Sequence, residues 1–175
     1  MGKIQDFVIY ENEVNLGGAA KRLRWNNEAI AQAILYLDEE KTDIEILQSI
    51  ANGNIRGLRA LLFGARKAAN RHYTKSRFDN EFDRGEITRY IESVTDGIQH
   101  YLPQVGRISA PQDKENKKGF DSFIDGFAEI AVRTLGVTCQ QLAELSPRNI
   151  SAMFETKYGE EMTKDEYYGD EIPWL

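Results

Sequence analysis

The chain is poor in residues that form covalent links or bind metals. It contains one cysteine, Cys139, and two histidines, His72 and His100, among its 175 residues. A single cysteine excludes an intrachain disulfide and a cysteine-based zinc cluster, and it favours a reducing cytoplasm. Neither histidine has a second ligand at metal-binding spacing. A disulfide-stapled secreted scaffold and a zinc-stabilised fold are therefore both excluded.

Long hydrophobic runs are also missing. No run of about 20 apolar residues occurs, so the sequence predicts no membrane-spanning helix. The first ten residues, MGKIQDFVIY, lack the apolar region of a signal peptide. We therefore expect no membrane partner.

The usual signatures of enzymes and cofactor sites are absent as well. The chain has no G-x-G-x-x-G or P-loop pattern, and Gly17-Gly18 lacks the following lysine and hydroxyl. We expect Cys139 to be a buried packing residue, not a nucleophile. His100 lies near a predicted helix end, where it is expected to interact with the helix dipole and not to act as a base. The sequence therefore favours a non-enzymatic protein without a cofactor or metal.

Positive charge is scarce overall but unevenly spread. The net charge of −6 argues against general nucleic-acid binding. Residues 56–89 nevertheless hold nine Lys and Arg against four Asp and Glu, whereas residues 155–175 hold seven acidic residues and two lysines. The basic middle and the acidic tail either attract each other, face different partners, or are ordinary solvated faces.

The stretch Thr42–Arg71 is predicted to form two helices joined by a tight corner. Thr42 and Glu45 make a capping box, so a helix is expected from Asp43. Gly53 suits the left-handed position after a helix end, and Asn54 is a cap for the next helix. Apolar residues recur at helical spacing at Ile44, Leu47, Ile50 and Ala51, and then at Ile55, Leu58, Leu61, Leu62, Ala65 and Ala69.

The segments around this stretch give a coarse order of elements. We expect a small hairpin from Phe7–Tyr10 and Val14–Leu16, with a turn at 11–13, followed by a short helical segment at 19–25. Asn26 and Asn27 then cap a helix. Residues 74–83 are predicted to be a loop. An amphipathic helix follows from Ile87 and ends before Pro103.

The remainder is predicted to be a second, smaller helical module. We assign residues 1–105 to the N-terminal module, 106–119 to a linker, 120–158 to the C-terminal module and 159–175 to an acidic tail. Gly136 ends the first helix of the second module, Thr138 and Gln141 form a capping box, and Ser146-Pro147 opens a third helix. The expected fold is mainly α: a small N-terminal β-hairpin on a helical bundle, followed by a small all-α C-terminal module.

These motifs resemble the tail assembly chaperones of long-tailed bacteriophages. The N-terminal similarity covers residues 4–102 and is carried by DIEILQSIANGNIRGLRALLFGARKAA, including Leu58-Arg-Ala-Leu61-Leu62-Phe-Gly-Ala65, and by GEITRYIESV. The C-terminal similarity is more specific and is carried by Leu135-Gly136-Val137 and Leu145-Ser146-Pro147-Arg148. Ala143 departs from the family, in which an aromatic residue is common at that position.

The resemblance implies a chaperone in the host cytoplasm that is absent from the mature virion. In that family the first module coats the tape measure protein, and the second recruits tail tube protein subunits. The long form arises by ribosomal frameshifting, and Lys117-Lys118-Gly119 at the linker end is a candidate slippage site. We therefore expect an extended, frameshifted product. Self-association is left open.

A partner-binding surface is expected on the second helix of the corner. Phe63 projects away from the apolar stripe, and aromatic residues and arginine are enriched at interface centres. The alternative is that Phe63 packs beneath the hairpin with arginine stems covering it. Leu35 and Ile46 also lie off their stripes, which indicates either two-sided burial or a groove for a partner helix. The candidate binding residues are Arg56, Arg59, Phe63, Arg66 and Lys67 in the first module and Leu135, Leu142 and Leu145 in the second.

Two other functions remain open. A nucleic-acid-binding regulator would use the basic helix 55–77, and its affinity would fall steeply with salt. A phage structural connector would be stably incorporated into virions, unlike a chaperone.

Overall fold

A computed structural model describes residues 7–38, 41–103 and 123–162, and it is mainly helical with an N-terminal hairpin, which confirms the predicted fold class. The predicted linker 106–119 and residues 163–175 of the predicted tail lie outside the described residues, whereas residues 159–162 complete the last helix. Within the described ranges the elements are β1 (Tyr10–Leu16), β2 (Ala19–Trp25), α1 (Asn27–Leu37), α2 (Asp43–Ala51), α3 (Ile55–Ala69), α4 (Lys75–Glu81), a 3-10 turn (Arg84–Glu86), α5 (Ile87–Tyr101), α6 (Phe123–Arg133), α7 (Cys139–Glu144) and α8 (Pro147–Met162).

The hairpin lies further along the chain than the sequence analysis placed it. β1 and β2 pair antiparallel from Tyr10 opposite Trp25 to Leu16 opposite Ala19. Gly17 and Gly18 form the turn with φ of 61° and 76°, the positive values that a two-residue type I′ loop requires. The expected turn at 11–13 and the expected helical segment at 19–25 are therefore both wrong. The inward face of the hairpin alternates along each strand: Val14, Leu16, Leu23 and Trp25.

The predicted loop at 74–83 contains a helix, α4. Thr74 caps it by accepting a hydrogen bond from the Arg77 backbone N–H at 3.3 Å. Phe78 and Phe82, which looked like lone aromatic residues, are four positions apart and therefore share one helical face. Phe78 is fully buried, so the segment is part of the core and not a surface loop.

Several predicted helix ends are confirmed by their cap geometry. The Thr42–Glu45 and Thr138–Gln141 capping boxes are both complete. Gly53 has a φ of 65°, and the Asn54 side chain accepts hydrogen bonds from the first backbone N–H groups of α3. Asn26 caps α1 through the Ala29 N–H at 3.0 Å.

Helix α3 is the centre of the first part of the chain, and it packs against α1, α2, α5 and β2. Its contact with α1 is close: a Cβ at Gly64 would lie 2.1 Å from the Ala29 carbonyl oxygen. Only glycine permits the two backbones to approach this far. The helix is consequently buried on both faces, and not along a single stripe as predicted.

Two separate clusters of buried apolar side chains support the described structure. The larger is built from the hairpin and α1 to α5, and Ile46 belongs to it despite its off-stripe position. The smaller lies among α6, α7 and α8 around Phe127, Ala131, Val137 and Ile150. The two parts meet through hydrogen bonds, among them one from the Asn27 backbone N–H to the Leu145 carbonyl at 2.8 Å. We call these parts the N-terminal unit (residues 7–103) and the C-terminal unit (residues 123–162).

Replacing Gly97 with alanine should destabilise the protein, because the new Cβ would lie 1.9 Å from the buried indole of Trp25. Overpacking of this kind costs about 1–3 kcal/mol, which should exceed the helix-propensity gain of about 1 kcal/mol. Urea unfolding of Gly97→Ala measures the effect. Glu92→Ala at an exposed position of α5 is the control and should change stability by less than about 0.5 kcal/mol. A Gly97→Ala protein as stable as the control would show that α5 does not approach the hairpin this closely.

Candidate partner-binding surfaces

Phe63 lies inside an aromatic cluster and is only 7% exposed. Its ring centroid is 4.9 Å from that of Tyr36 and 5.7 Å from that of Phe78. A direct contact between Phe63 and a partner would require an exposed side chain, and Phe63 is not exposed. Phe63 instead packs within the fold. The aromatic rings that contact Phe63 come from Tyr36 of α1, Phe78 of α4 and Tyr73 between α3 and α4. We define the aromatic cluster by its members: Tyr36, Phe63, Tyr73, Phe78 and Phe82.

Arg59, one of the predicted binding residues, packs against this cluster. Its guanidinium carbon lies 4.5 Å from the ring centroid of Phe82 and 5.8 Å from that of Phe78. Its Nη2 donates to Asp79 Oδ1 at 2.6 Å and, at 3.4 Å, to the Tyr36 hydroxyl. Cation–π and ion-pair contacts thus hold α4 against α1 and α3.

Arg66 and Lys67 are used within the fold in the same way. The Arg66 guanidinium carbon lies 4.9 Å from the Tyr73 ring centroid, and its Nη1 donates to the Arg22 carbonyl at 3.2 Å. The Lys67 ammonium donates to the carbonyls of Arg71 and Tyr73 at 2.7 and 2.8 Å. Arg56 is exposed on the first turn of α3. Of the five predicted residues of the first module, Phe63 is buried, and Arg59, Arg66 and Lys67 make contacts within the fold.

Glu81, which sequence reasoning did not single out, joins the end of α4 to the rest of the N-terminal unit. Its carboxylate accepts hydrogen bonds from the Tyr73 hydroxyl at 2.6 Å and Arg77 Nε at 2.8 Å, and its carbonyl accepts from the Gly17 N–H at 3.0 Å. Partial burial raises the pKa of Glu81, but the hydrogen bonds from Tyr73 and Arg77 outweigh it, so the net pKa is lowered. The pKa of Tyr73 is raised by burial and by the hydrogen bond to Glu81.

The predicted leucines of the second module face that module's own core. Leu135, Leu142 and Leu145 are partly buried and pack on the smaller apolar cluster. The carbonyls of Leu142 and Leu145 accept hydrogen bonds from Asn27 Nδ2 at 2.9 Å and the Asn27 N–H at 2.8 Å. Their backbone is thus engaged by the N-terminal unit.

An accessible apolar surface instead lies at the α2–α3 corner. Ile55 and Ile91 are 52% and 42% exposed, although the helical stripes assigned both to the core. Both line a shallow depression, which we call the corner groove and which is lined by Ile50, Gly53, Asn54, Ile55, Leu58, Ile87 and Ile91. The sequence contained one usable signal: Ile55 immediately follows its helix cap, so no preceding turn of α3 covers it.

Cys139 and His100 were predicted to be structural. Cys139 is exposed at the start of α7, so its predicted burial is wrong. His100 lies in the last turn of α5, where its ring stacks on Tyr10 with centroids 3.8 Å apart, and its Nδ1 lies 2.9 Å from the Asp96 carbonyl oxygen. In the described ranges no group of three His, Cys, Asp or Glu side chains is placed to hold a metal ion. The helices of those ranges include none long and apolar enough to cross a membrane.

Comparisons with protein-family models, with curated proteins and with solved structures give no match. The candidate surfaces are therefore assigned from their geometry. Among them, the corner groove combines two exposed apolar side chains, Ile55 and Ile91, with a depression on the N-terminal unit.

Truncating Phe63 should destabilise the fold strongly. Phe63→Ala removes a buried ring from the aromatic cluster, and such changes cost about 3–5 kcal/mol. Denaturant unfolding should show this loss. The matched control is Leu35→Ala, since Leu35 is 70% exposed and its truncation should change stability by less than about 0.5 kcal/mol. Equal effects for the two variants would contradict the buried position of Phe63.

Glu81 should contribute a measurable part of the acid sensitivity of folding. Because its folded pKa is lowered, its stabilising effect is present above the unfolded pKa and is lost as pH falls through the folded pKa. Unfolding free energies measured from pH 7 down to pH 3 should therefore decline less steeply for Glu81→Gln than for wild type. The exposed Glu92→Gln is the comparison for the loss of one carboxylate elsewhere on the surface. An unchanged slope for Glu81→Gln would rule out this linkage.

Proposed function

We propose that the protein is a tail assembly chaperone of a long-tailed bacteriophage. In this proposal the N-terminal unit binds the tape measure protein and the C-terminal unit recruits tail tube subunits in the host cytoplasm. The chaperone is not retained in the virion. The proposal is supported by the sequence resemblance and by one structural observation, the corner groove.

The corner groove suits the apolar face of a helix. An amphipathic helix places apolar side chains at i, i+3, i+4 and i+7, and these dock into apolar grooves of partner proteins. Ile55 and Leu58 of α3 and Ile87 and Ile91 of α5 contribute to the lining of the corner groove. Because exposed apolar residues here are grouped and not scattered, they favour a binding surface over ordinary surface composition.

The groove also joins the two N-terminal segments that carry the resemblance. Ile50, Ile55 and Leu58 belong to the DIEILQSIANGNIRGLRALLFGARKAA segment, and Ile87 and Ile91 belong to GEITRYIESV. These segments are separated by α4 in the chain and meet at this point of the fold. This meeting supports a shared surface for the tape measure protein at the groove.

The nucleic-acid alternative has less support from the geometry. Arg59, Arg66 and Lys67 are engaged with aromatic rings, a carboxylate and backbone carbonyls, which leaves fewer of their donors for phosphates. A steep fall of DNA or RNA affinity with salt would favour this alternative over the chaperone. Recovery of the chain from purified virions would favour a structural connector.

The proposal includes formation of the chain as a frameshifted product. The coding nucleotides near Lys117-Lys118-Gly119 decide this part. A slippery heptamer with a second open reading frame is expected there, and the absence of both would remove the frameshift from the proposal without affecting the groove.

Ile91→Asp should weaken binding to tape measure segments at least tenfold while leaving the fold intact. A charge in the groove must be desolvated when an apolar helix docks, whereas in the free protein Ile91 is already 42% exposed. Calorimetric titration with purified tape measure segments measures affinity, and thermal unfolding measures stability. Leu35→Asp, on the exposed side of α1, is the matched control and should bind as wild type does.

Co-purification from infected cells tests the class of partner. Wild type and Leu35→Asp should recover a long helical phage protein, and Ile91→Asp should not. Equal recovery by all three would place the binding surface elsewhere, and recovery of no such protein by wild type would overturn the proposal.

A further inference from the structure

The C-terminal unit is held to the N-terminal unit by polar contacts. Glu144 pairs with Arg71 at 2.8 Å and with Arg24 at 3.6 Å. Arg148 Nε donates to the Leu102 carbonyl at 3.0 Å, and its Nη2 donates to the Gln99 carbonyl, so a cation from one unit caps the carboxyl end of α5 in the other. Asn27 supplies a third connection through the carbonyls of Leu142 and Leu145.

Each unit has its own apolar cluster. Among the described residues, the larger cluster is built from positions 10–102 and the smaller from positions 127–154, and no side chain belongs to both. Separating the units would therefore expose mainly polar contacts, which water can replace. Interfaces of this polar kind within one chain resemble transient protein–protein interfaces.

The chain between the units is long. Residues 104–122 connect Pro103 to Phe123, and 19 residues span at most about 65 Å when extended. A compact chain of 175 residues has a radius of gyration of about 16 Å. The number of residues between the units is therefore large enough for the C-terminal unit to reach a neighbouring copy.

We propose that the face of the N-terminal unit formed by Asn27, Arg71 and the carboxyl end of α5 also receives the C-terminal unit of a second copy. Two copies that exchange these units can make the same contacts between the described parts as one chain makes, so a reciprocal dimer keeps those interactions. In dilute solution, the covalent connection favours docking of the two units within one chain. The fraction of chains that exchange their C-terminal units increases as the local concentration of copies rises. The inference does not depend on the proposed function.

A pair of charge-reversed chains tests exchange directly. Glu144→Arg alone places like charges opposite Arg71, and Arg71→Glu alone places like charges opposite Glu144. In the mixture, each C-terminal unit finds an opposite charge on the other variant. Dyes attached to the single exposed Cys139 of each full-length variant report association by energy transfer. The mixture should associate at least tenfold more tightly than either variant alone.

Three further variants serve as controls. The double variant Arg71→Glu/Glu144→Arg restores an opposite pair at positions 71 and 144 of one chain. It should regain part of the stability that the single variants lose, because Arg24 and Glu28 then face like charges. Adding Arg148→Ala to both single variants removes the cap on α5 and should weaken association of the mixture. A mixture no tighter than either variant alone, or a double variant that regains nothing, would overturn the proposal. Association that persists unchanged with Arg148→Ala would assign it to another surface and also overturn it.

Discussion

The close approach of α1 to α3 at Gly64 is the constraint on which the rest of the N-terminal unit depends. With the Ala29 carbonyl 2.1 Å from the position of a Gly64 Cβ, the two helices meet backbone to backbone. This contact brings Phe63 beside Tyr36 of α1 and leaves aromatic surface that requires further cover. Helix α4 supplies that cover with Phe78, which is fully buried. The approach of α1 to α3 at Gly64 is thus linked to two features of the fold. Helix α3 is buried on both faces, and the segment that the sequence predicts as a loop forms the core helix α4.

The same packing explains the concentration of basic residues in the middle of an acidic protein. An aromatic cluster near the surface presents ring faces on which guanidinium groups lie favourably, and their donors then reach carboxylates and carbonyls. Arg59 does this over Phe82 while donating to Asp79, and Arg66 does it over Tyr73. The positive charge of residues 56–89 therefore has a structural use within the fold. Clustered charge in a sequence identifies a binding surface only if the side chains are not already engaged in this way.

Local signals were predicted well and long-range packing was not. The capping boxes, the left-handed Gly53 and the fold class depend on residues a few positions apart, so the sequence contains them directly. The hairpin lies one strand later than predicted, because the β-prone residues at 7–10 favour an earlier strand whereas the turn forms at Gly17-Gly18. The burial of Phe63 depends on Tyr36 of α1 and Phe78 of α4, which lie forty-two residues apart in the chain. Periodicity within α3 does not reveal these contacts. The corner groove likewise depends on α5 meeting the α2–α3 corner, so Ile55 and Ile91 looked like ordinary core residues.

Helix α5 relates the two surfaces on which the proposals depend. Ile87 and Ile91 of its first turns line the corner groove, whereas the Gln99 and Leu102 carbonyls at its other end accept hydrogen bonds from Arg148. At 1.5 Å per residue, the eleven positions from Ile91 to Leu102 separate these sites by about 16 Å. Apolar side chains in the groove favour an apolar partner, because binding removes apolar surface from water. The carbonyls at the carboxyl end of α5 carry partial negative charge and favour a cation. A helix docked in the groove therefore need not displace Arg148, and one N-terminal unit has room for both interactions.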